Sequence, residues 1–313
     1  MTGRPLPILL NPAAGAGRAG RGQERLEAEL KRQGVSYLLT ITDDEAHLRR
    51  LTRALAAEGL PLAGAGGDST FLIMLDEIMA AGARSRLGLI GIGSSNDIPR
   101  EFGLDTLKRA CAALKDGTAR TIDVGFVESG SGTRRHFLGQ ANVGLGAEVN
   151  RYVAGLAAKK RRLARRQTLA GFFGILEAYR AGRVPIELTI EGPGGSARGP
   201  FISAVFANTR FWSTGRIIAP EARPDDGMLD ACLIGACSVR RLAGIDAAAK
   251  KGRHVRRREV TMLRSAEFRV SSPRDFFVQA DGEIVSDGKG PALVRRALFG
   301  VLPAALEIFA PAP

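Results

Sequence analysis

The sequence predicts two domains, an α/β domain built on a parallel sheet and, after it, a β-sandwich. Over roughly the first 125 residues, short apolar runs alternate with segments of helical spacing, which is typical of parallel strands with helices on both faces. After Val127 the pattern changes to short strand-like runs separated by turns such as 192–195, which indicates an antiparallel sandwich. A chain of 313 residues is long enough to give both domains a core.

The elements of the first domain follow from apolar runs and from residues that start and stop helices. Leu26 and Leu30 lie four residues apart on one predicted helix, which Gly34 ends, and Asp43 or Asp44 caps the next one. Strands are predicted at 6–10, 35–41, 60–63, 87–92 and 121–127, with helices at 23–33, 47–55, 71–79 and from Asp105 to 114.

The second domain is predicted from shorter runs, and two helical insertions interrupt it. The last apolar run, 305–309, is expected to return to the first domain. We therefore place the α/β domain at 1–127, with 296–313 returning to it, and the sandwich at 128–295. Its strands are predicted at 136–143, 185–191, 201–208, 229–234, 267–271 and 276–279, and its helical insertions near 147–181 and 238–251.

Composition and charge exclude several classes of protein. The three cysteines form no CxxC pair and the three histidines are isolated, so neither a zinc site nor a Ser/His/Asp triad is expected, and reduced thiols indicate a cytosolic setting. No apolar run reaches the length of a membrane-spanning helix. The net charge of +13 is concentrated in two basic blocks that suit an anionic membrane, whereas nucleic acid is not expected because the blocks contain no interleaved aromatic residues. The first block comprises Lys159, Lys160, Arg161, Arg162, Arg165 and Arg166, and the second comprises Lys250, Lys251, Arg253, Arg256, Arg257 and Arg258.

The stretch 64–70, Gly-Ala-Gly-Gly-Asp-Ser-Thr, carries the first chemical signal. Between a strand and a helix, glycines let the backbone approach a phosphate, and N–H groups at the helix start face its negative charge. Ser69 or Thr70 can cap that helix, and Asp68 suits a residue that orients a metal-bound group or takes a proton. A turn that only joins strand to helix is the alternative. Because the loops 11–17 and 93–97 also follow strands, all three are expected at one sheet edge, which favours a phosphate site.

Four motif regions, of which the last consists of two C-terminal stretches, together resemble the diacylglycerol kinase catalytic family, which also contains sphingosine and ceramide kinases. The stretch 11–15, NPAAG, is similar to the family's NPxxG, and 66–70, GGDST, is similar to GGDGT. The stretch 93–100, GSSNDIPR, resembles GTxNDxAR. In the C-terminal half, 218–230 resembles IAPxAxxDDGxLD and 279–283 resembles QxDGE. NAD kinases share the glycine loop and the first-domain fold, but not this C-terminal pair of motifs.

The resemblance implies phosphorylation of a lipid hydroxyl that depends on ATP and Mg²⁺. It also implies a first domain like those of phosphofructokinase and NAD kinase, which binds the nucleotide, and a β-sandwich that takes the lipid. Diacylglycerol-like and sphingoid acceptors both stay open. The ATP-binding residues that it implies are Asn11, Pro12, Ala13, Ala14, Gly15, Thr42, Gly66, Gly67, Asp68, Ser69, Thr70, Phe71, Leu72, Ser94, Asn96 and Asp97.

Two acids compete for the role of general base. The resemblance makes Glu283 the acceptor of the lipid hydroxyl proton, and Asp68 is the competing assignment. Together with Asp97 and Asp123, Asp68 is also expected in a metal and water network around the phosphates.

A metal site is implied in the C-terminal half. The resemblance places Mg²⁺ on the Asp226 carboxylate and on the main-chain carbonyls of Arg223 and Met228, which are the oxygen ligands that hard cations prefer. On the residues alone, 225–227 is an ordinary turn and 279–283 an ordinary hairpin.

Ser69 departs from the family, which has glycine at that position. If the position needs a positive φ, serine is strained there by on the order of 1 kcal/mol, and its Cβ can crowd the phosphates. The alternatives to an active lipid kinase are a catalytically weakened nucleotide- or lipid-binding member of the family and an NAD-kinase-like small-molecule kinase. We expect a cytoplasmic protein that associates peripherally with an anionic membrane, where its lipid lies, and a homodimer stays open.

Overall fold

The computed structural model describes residues 4–82, 84–93, 95–130, 132–159, 167–286 and 290–311. The chain divides into two compact units. Contacts end the first unit's main segment at Val124, whereas the sequence predicts a boundary at 127. The first unit comprises Met1–Val124, Ser213–Gly215 and Pro303–Pro313, and the second comprises Gly125–Trp212 and Arg216–Leu302.

A parallel sheet forms the centre of the first unit. Its strands are β1 (Leu6–Leu10), β2 (Tyr37–Ile41), β3 (Leu62–Gly66), β4 (Arg86–Gly91) and the end of β16 (Leu293–Phe309). They are ordered β2-β1-β3-β4-β16, with Glu307 of β16 opposite Arg86 of β4. The run 305–309 therefore pairs with the first unit's sheet, as predicted, but the returning segment begins at Pro303 and not at 296. A further strand, β5 (Ala119–Ser129), begins in this unit and continues in the second.

Among the residues that the structure describes, six helices accompany this sheet. They are α1 (Ala14–Arg21), α2 (Gln23–Gln33), α3 (Glu45–Ala57), α4 (Asp68–Ala81), α5 (Asp97–Glu101) and α6 (Leu107–Asp116). Asp44 caps α3, since its side chain accepts the N–H of His47 at 2.7 Å. The helix start predicted at Asp105 is two residues early, because α6 begins at Leu107 and Thr106 is its N-cap. Its hydroxyl accepts the N–H of Arg109 at 3.3 Å.

Helix α4 follows the glycine loop after β3 and is largely buried. Its N-cap is Gly67 and no side chain caps it, so the prediction that Ser69 or Thr70 does so is wrong; both lie inside the first turn. A Cβ on Gly64 of β3 would lie 2.6 Å from Met74 Sδ, which shows how closely the helix packs on the strand. This packing fixes the start of α4 at the carboxyl edge of the sheet.

The second unit is an antiparallel β structure. Its strands pair in the order β13-β12-β9-β7-β14-β16, and β8 pairs with both β9 and β14. The predicted strands 267–271 and 276–279 form one strand, β14, with an irregular register between Ser271 and Phe276, whereas the predicted strand 136–143 forms two. Its strands beyond β5 are β6 (Arg134–Phe137), β7 (Gln140–Gly144), β8 (Ile186–Gly192), β9 (Gly195–Ala207), β10 (Phe211–Trp212), β11 (Arg216–Ile217), β12 (Leu229–Gly235), β13 (Val260–Ser265), β14 (Glu267–Ala280), β15 (Glu283–Ile284) and most of β16.

Aromatic residues fill the core of the second unit. Phe206, Phe268 and Phe299 are fully buried, and the rings of Phe206 and Phe299 stack with centroids 4.0 Å apart. The turn at 192–195 joins β8 to β9 as predicted, with Gly192 opposite Gly195. Stacked rings of this kind contribute about 0.5–1.5 kcal/mol beyond their burial.

Helices interrupt the second unit where the sequence predicts insertions. They are α7 (Leu145–Lys159), α8 (Gln167–Arg180), α9 (Val239–Ala249) and a 3₁₀ turn at Arg253–Arg256. Within the residues that the structure describes, none of the helices has the length and apolar character needed to cross a membrane. All three cysteines are free thiols, and burial raises the pKa of Cys111 and Cys232 to about 12, so neither is suited to act as a nucleophile.

Candidate active site

Asn11 links the first glycine loop to the start of α4. Its Nδ2 donates to Thr70 Oγ1 at 3.0 Å, and its Oδ1 accepts the N–H of Ala13 at 3.1 Å. Its own N–H donates to the carbonyl of Ala65 at 3.0 Å. One amide side chain therefore holds the loops that follow β1 and β3 together, and the hydroxyl of Thr70 is part of that link.

The loop after Asn11 turns through three left-handed residues. Gly15, Ala16 and Gly17 have φ values of 61°, 59° and 83°. A Cβ on Gly15 would lie 3.1 Å from the carbonyl oxygen of Ile92, so the loop is close to the backbone that follows β4. Pro12 and Ala14 lie in this same turn, where the carbonyl of Pro12 accepts the N–H of Gly20 at 3.2 Å. The sequence predicts a loop here but not this conformation.

Arg18 is a site residue that the sequence reasoning missed. Its Nε donates to the carbonyl of Gly15 at 3.1 Å and its Nη2 donates to the carbonyl of Gly93 at 3.3 Å. A guanidinium between two glycine loops adds positive charge where a phosphate site is predicted. The sequence feature that could have identified it is its position, since Arg18 lies three residues after the NPxxG stretch.

The loops after β3 and β4 touch through their backbones. A Cβ on Gly93 would lie 2.5 Å from Gly67 Cα, and one on Gly66 would lie 2.3 Å from Thr70 Oγ1. The N–H of Ile92 also donates to the carbonyl of Gly66 at 2.7 Å. Glycine is therefore required by close approach at these positions, and the three predicted loops lie together at one edge of the sheet.

Ser69 occupies an ordinary helical position. It lies exposed in the first turn of α4 and is not among the residues with positive φ, so the expectation of backbone strain is wrong. Helical backbone angles suit serine as well as glycine. The next residues on the helix, Phe71 and Leu72, have fully buried side chains, so only their backbone can face a ligand.

Asp68 accepts two backbone N–H groups at the start of α5. Its Oδ2 accepts the N–H of Asp97 at 3.3 Å and its Oδ1 accepts that of Ile98 at 3.4 Å, both at the start of α5. Asn96, with a φ of 53°, accepts the N–H of Gly93 through its Oδ1 at 2.9 Å. These contacts bind the GGDST and GSSND stretches to each other. Ser94, also predicted to contact ATP, lies outside the described residues.

Asp97 is nearly buried and has two partners in the first unit. Its Oδ1 accepts from Arg100 Nη1 at 2.9 Å, and its Oδ2 accepts the N–H of Thr214 at 2.8 Å. This hydrogen bond helps to explain why 213–215 belong to the first unit, which the sequence did not indicate.

Two other predicted residues are held by the scaffold. The N–H and hydroxyl of Thr42 both donate to the carbonyl of Leu10, at 2.9 and 3.2 Å, which fixes Thr42 beside the end of β1. Asp123 is buried on β5, and its Oδ1 accepts the N–H of Ala304, a residue with a φ of 51°, at 2.8 Å. This hydrogen bond holds the returning segment at Ala304 beside β5.

In the second unit, Glu283 follows a two-residue hairpin turn. Asp281 and Gly282 have φ values of 43° and 94°, and Ala280 pairs with Glu283 across the turn. Positive φ at both turn residues is typical of the Asp-Gly hairpin expected for 279–283. Asn150 of α7 donates to the carbonyl of Gly282 at 3.2 Å, and the side chain of Glu283 is exposed.

Asp281 fixes this hairpin to another strand. Its carboxylate accepts the N–H groups of Leu138, Gly139 and Gln140, with nearest distances of 2.6, 3.0 and 2.8 Å. Burial raises the pKa of the Asp281 carboxyl to about 6, while the three N–H groups favour its charged form and limit the rise. The hairpin that presents Glu283 is therefore anchored by three charge-assisted hydrogen bonds.

Gln279 leads into the same hairpin and lies in a buried amide cluster. Asn142 Nδ2 donates to Gln279 Oε1 and, at 3.1 Å, to Gln140 Oε1. All three side chains are at most 5% exposed, so these hydrogen bonds set the amide orientations on β7 and β14. Sequence reasoning identified Gln279 as part of a motif but not its partners.

The residues of the implied magnesium site lie before β12. Asp226 Oδ1 accepts the N–H of Met228 at 3.1 Å, and Asp226 Oδ2 accepts from Arg264 Nη2. Both oxygens of the Asp226 carboxylate already accept a hydrogen bond, and one of the donors is the positively charged guanidinium of Arg264. The Asp226 carboxylate and the carbonyls of Arg223 and Met228 therefore do not fit a magnesium ion. Among the residues described, no three or more His, Cys, Asp or Glu side chains are grouped to hold a metal. Burial raises the pKa of the nearby Asp230 carboxyl to about 6, although the positive charge of Arg264 lowers it.

Comparison with known proteins matches both units. The model of the diacylglycerol kinase catalytic domain matches residues 5–127, and that of the YegS C-terminal NAD kinase beta sandwich-like domain matches 139–310. A diacylglycerol kinase of Mycobacterium tuberculosis (strain ATCC 25618 / H37Rv) is 30% identical over 306 residues, covering 97% of this chain and 94% of the relative. A Pseudomonas aeruginosa (strain UCBPP-PA14) protein named probable lipid kinase YegS-like is 27% identical, with coverages of 94% and 92%.

A solved structure shows the same fold. The crystal structure of a diacylglycerol kinase from Bacillus anthracis str. Sterne superposes with a TM-score of 0.69 at 14% identity, covering 98% of this chain and 97% of that one. The two matched family models and the relatives that match over nearly the whole chain define the class as lipid kinases. The chain belongs to the diacylglycerol kinase catalytic-domain family.

Proposed function

We propose that the protein transfers the terminal phosphoryl group of ATP, taken as its magnesium complex, to a hydroxyl of a diacylglycerol-like or sphingoid lipid. The observation that carries this proposal is the set of linked glycine loops in the first unit. Asn11 joins two of them, Arg18 joins the first to the third, and Gly93 lies against Gly67. Phosphoryl transfer depends mainly on positioning and on charge neutralisation, and loops held together in advance suit both.

The first unit would bind the phosphates of ATP. The positive end of the α4 helix dipole and the guanidinium of Arg18 favour negative charge beside the glycines. The Mg²⁺ that accompanies ATP neutralises part of the phosphate charge. Asp68 and Asp97 would keep α5 and the 213–215 segment in place, because their carboxylates accept backbone N–H groups there.

The second unit would supply the general base. Glu283 is exposed at the end of an anchored hairpin, where a carboxylate can accept the proton of a lipid hydroxyl as the phosphoryl group arrives. Asp68 is less suited to this role, since both of its oxygens already accept N–H groups of α5. The assignment of Glu283 rests on the family motif together with this contrast.

Two observations favour an active lipid kinase over the alternatives. The helical conformation of Ser69 removes the strain that would have argued for a weakened descendant. The relatives that match over nearly the whole chain are named as a diacylglycerol kinase and a lipid kinase, which favours a lipid over a soluble acceptor such as that of NAD kinase.

A lipid substrate requires that the enzyme reach a membrane surface. Phe173 and Leu176 of α8 lie three residues apart and are 42% and 37% exposed. The first basic block, of which 160–166 lie outside the described residues, directly precedes this helix in the sequence. Exposed apolar residues next to basic ones suit peripheral binding to anionic lipid. Exposed arginines of the second block, among them Arg256, offer a further basic surface.

The deciding experiment is a lipid panel with radiolabelled ATP and Mg²⁺. Diacylglycerol, a sphingoid base, ceramide and phosphatidylglycerol in mixed micelles would be compared for labelled lipid product. Glu283→Gln should lower kcat by about 10²–10⁴-fold, the usual contribution of a positioned general base, and leave ATP binding unchanged. Glu187→Gln, an exposed acid on β8, is the matched control and should change nothing.

The outcomes separate the candidates. Labelled product from any lipid supports a lipid kinase and names its acceptor. Near-normal turnover in a folded Glu283→Gln variant, with loss of activity in Asp68→Asn, would transfer the base role to Asp68. ATP binding without product from any lipid would favour a binding protein, and phosphorylation of NAD would favour the small-molecule kinase.

A further inference from the structure

Asp226 and Asp230 place two carboxylates in and just after the turn that starts β12. Their side chains are 20% and 8% exposed. Two partly buried carboxylates separated by a short turn repel each other unless a cation lies between them. The chemistry of this turn therefore requires a positive charge, and the question is which group supplies it.

Arg264 is the cation beside both acids. It lies on β13 directly opposite Asp230 in the β12–β13 register. Its Nη2 contacts Asp226 Oδ2, and its Nε lies 3.9 Å from Asp230 Oδ2. The strand pairing thus fixes the arginine backbone at a cross-strand position from which the guanidinium reaches both carboxylates.

The remaining oxygen of Asp226 is also engaged. Asp226 Oδ1 accepts the N–H of Met228 at 3.1 Å, which closes an Asx turn. A bound Mg²⁺ would need direct carboxylate contact at about 2.0–2.1 Å in octahedral geometry. It would have to displace a guanidinium whose own positive charge repels it.

We propose that the Arg264 guanidinium takes the place of a divalent cation at the Asp226–Asp230 pair in this chain. The second unit then keeps its β12 turn without a bound metal. Removing Arg264 would leave the two carboxylates without a cation and make them competent to bind a divalent one. This inference concerns the folded protein and does not depend on which lipid is phosphorylated.

The test uses the full chain without nucleotide and follows its thermal unfolding in EDTA and in rising Mg²⁺. Arg264→Met removes the charge and keeps much of the side-chain length on an exposed strand position. Arg269→Met is the matched control, since Arg269 is an exposed strand arginine paired with Glu267 at 2.7 Å. We expect the Tm of the wild type and of the control to be independent of Mg²⁺. The Tm of Arg264→Met should be lower in EDTA and should rise by several degrees with Mg²⁺.

Two results would overturn the proposal. One is a wild-type Tm that rises with Mg²⁺ and loses that rise in Asp226→Asn, since the metal would then bind despite Arg264. The other is an Arg264→Met variant as stable in EDTA as the wild type. If Arg264→Met does not fold, Mn²⁺ binding to the wild type, followed by electron paramagnetic resonance, decides. Binding that Asp226→Asn abolishes contradicts the proposal, and its absence supports it.

Discussion

Replacing Asp281 by Asn should loosen the hairpin that presents Glu283. Asn adopts left-handed backbone angles nearly as well as Asp, so the turn itself is preserved. What changes is hydrogen bonding, because the amide has one acceptor oxygen where the carboxylate has two. In the wild type, the N–H of Leu138 donates to Asp281 Oδ2 at 2.6 Å. If the amide oxygen of the introduced asparagine keeps the N–H groups of Gly139 and Gln140, the NH₂ group of the asparagine faces the N–H of Leu138, and two donors meet.

The magnitude follows from the bond that is lost. A hydrogen bond to a charged acceptor contributes about 1.5–3 kcal/mol, and here the Leu138 N–H is also left without a partner, so we expect a loss of about 2–3 kcal/mol. Asp281→Ala removes all three acceptor contacts and adds left-handed strain of about 1–2 kcal/mol, so it should be worse. A loss of 2–3 kcal/mol lowers the Tm of a unit of this size by about 5–10 °C.

The assay is thermal unfolding at pH 8, where the carboxyl is charged, with hydrogen exchange of the peptides covering 138–144 and 276–285. Asp275→Asn is the control on β14, the strand that leads into the hairpin, because Asp275 forms a surface ion pair with Arg295, which contributes about 0–1 kcal/mol. Unchanged exchange at 138–140 in Asp281→Asn, with a Tm like that of the control, would refute the view that this carboxylate anchors the hairpin.

Four further predictions follow. Gly93→Ala should destabilise the first unit by about 1–3 kcal/mol and weaken ATP binding in calorimetry, because its Cβ would lie 2.5 Å from the backbone of the neighbouring loop. Ser69→Gly should not tighten ATP binding and should lower stability by about 0.5 kcal/mol through helix propensity alone. Burial lowers the pKa of His254 below its unfolded value, so folding favours the neutral imidazole. The contribution of His254 to the free energy of unfolding should therefore fall as the pH drops through about 6.5, by at most about 1.4 kcal/mol per pH unit, and urea titrations would measure it. Replacing Phe173 and Leu176 by Ser should weaken sedimentation with anionic vesicles.

Each of these has a control and a contrary outcome. Gly155→Ala meets no atom within 4 Å and should be tolerated, so an equal loss there would discredit the close-approach argument. Tighter ATP binding by Ser69→Gly would mean that the serine Cβ crowds the phosphates. His254→Gln should remove only this contribution and leave that of Asp230 and Asp281, whose raised pKa values of about 6 act in the opposite direction, so an unchanged pH profile would exclude His254. Equal sedimentation with neutral and anionic vesicles would remove the basic blocks from membrane binding.

The sequence located most parts of the candidate site because those parts are local. Glycines between a strand and a helix are recognisable in any sequence, because glycine has no Cβ and permits both positive φ and close approach of the backbone. The Asp281-Gly282 hairpin is predictable for the same reason, as two consecutive residues determine its turn type. Arg18 was missed because one of its acceptors, the carbonyl of Gly93, lies 75 residues away in the sequence, and no local pattern indicates that contact.

What the sequence by itself determined, then, is the alternation of elements, the glycine loops and the family motifs. The tertiary structure alone decided which groups meet. Asp281 contacts backbone at 138–140, Asp123 braces Ala304, and Arg264 reaches Asp226 from a neighbouring strand. These pairs are far apart in the chain, so sheet order and strand register bring them together. A residue's partner, and hence whether a carboxylate holds a turn, a metal or a proton, is set by that register and not by the residue's own motif.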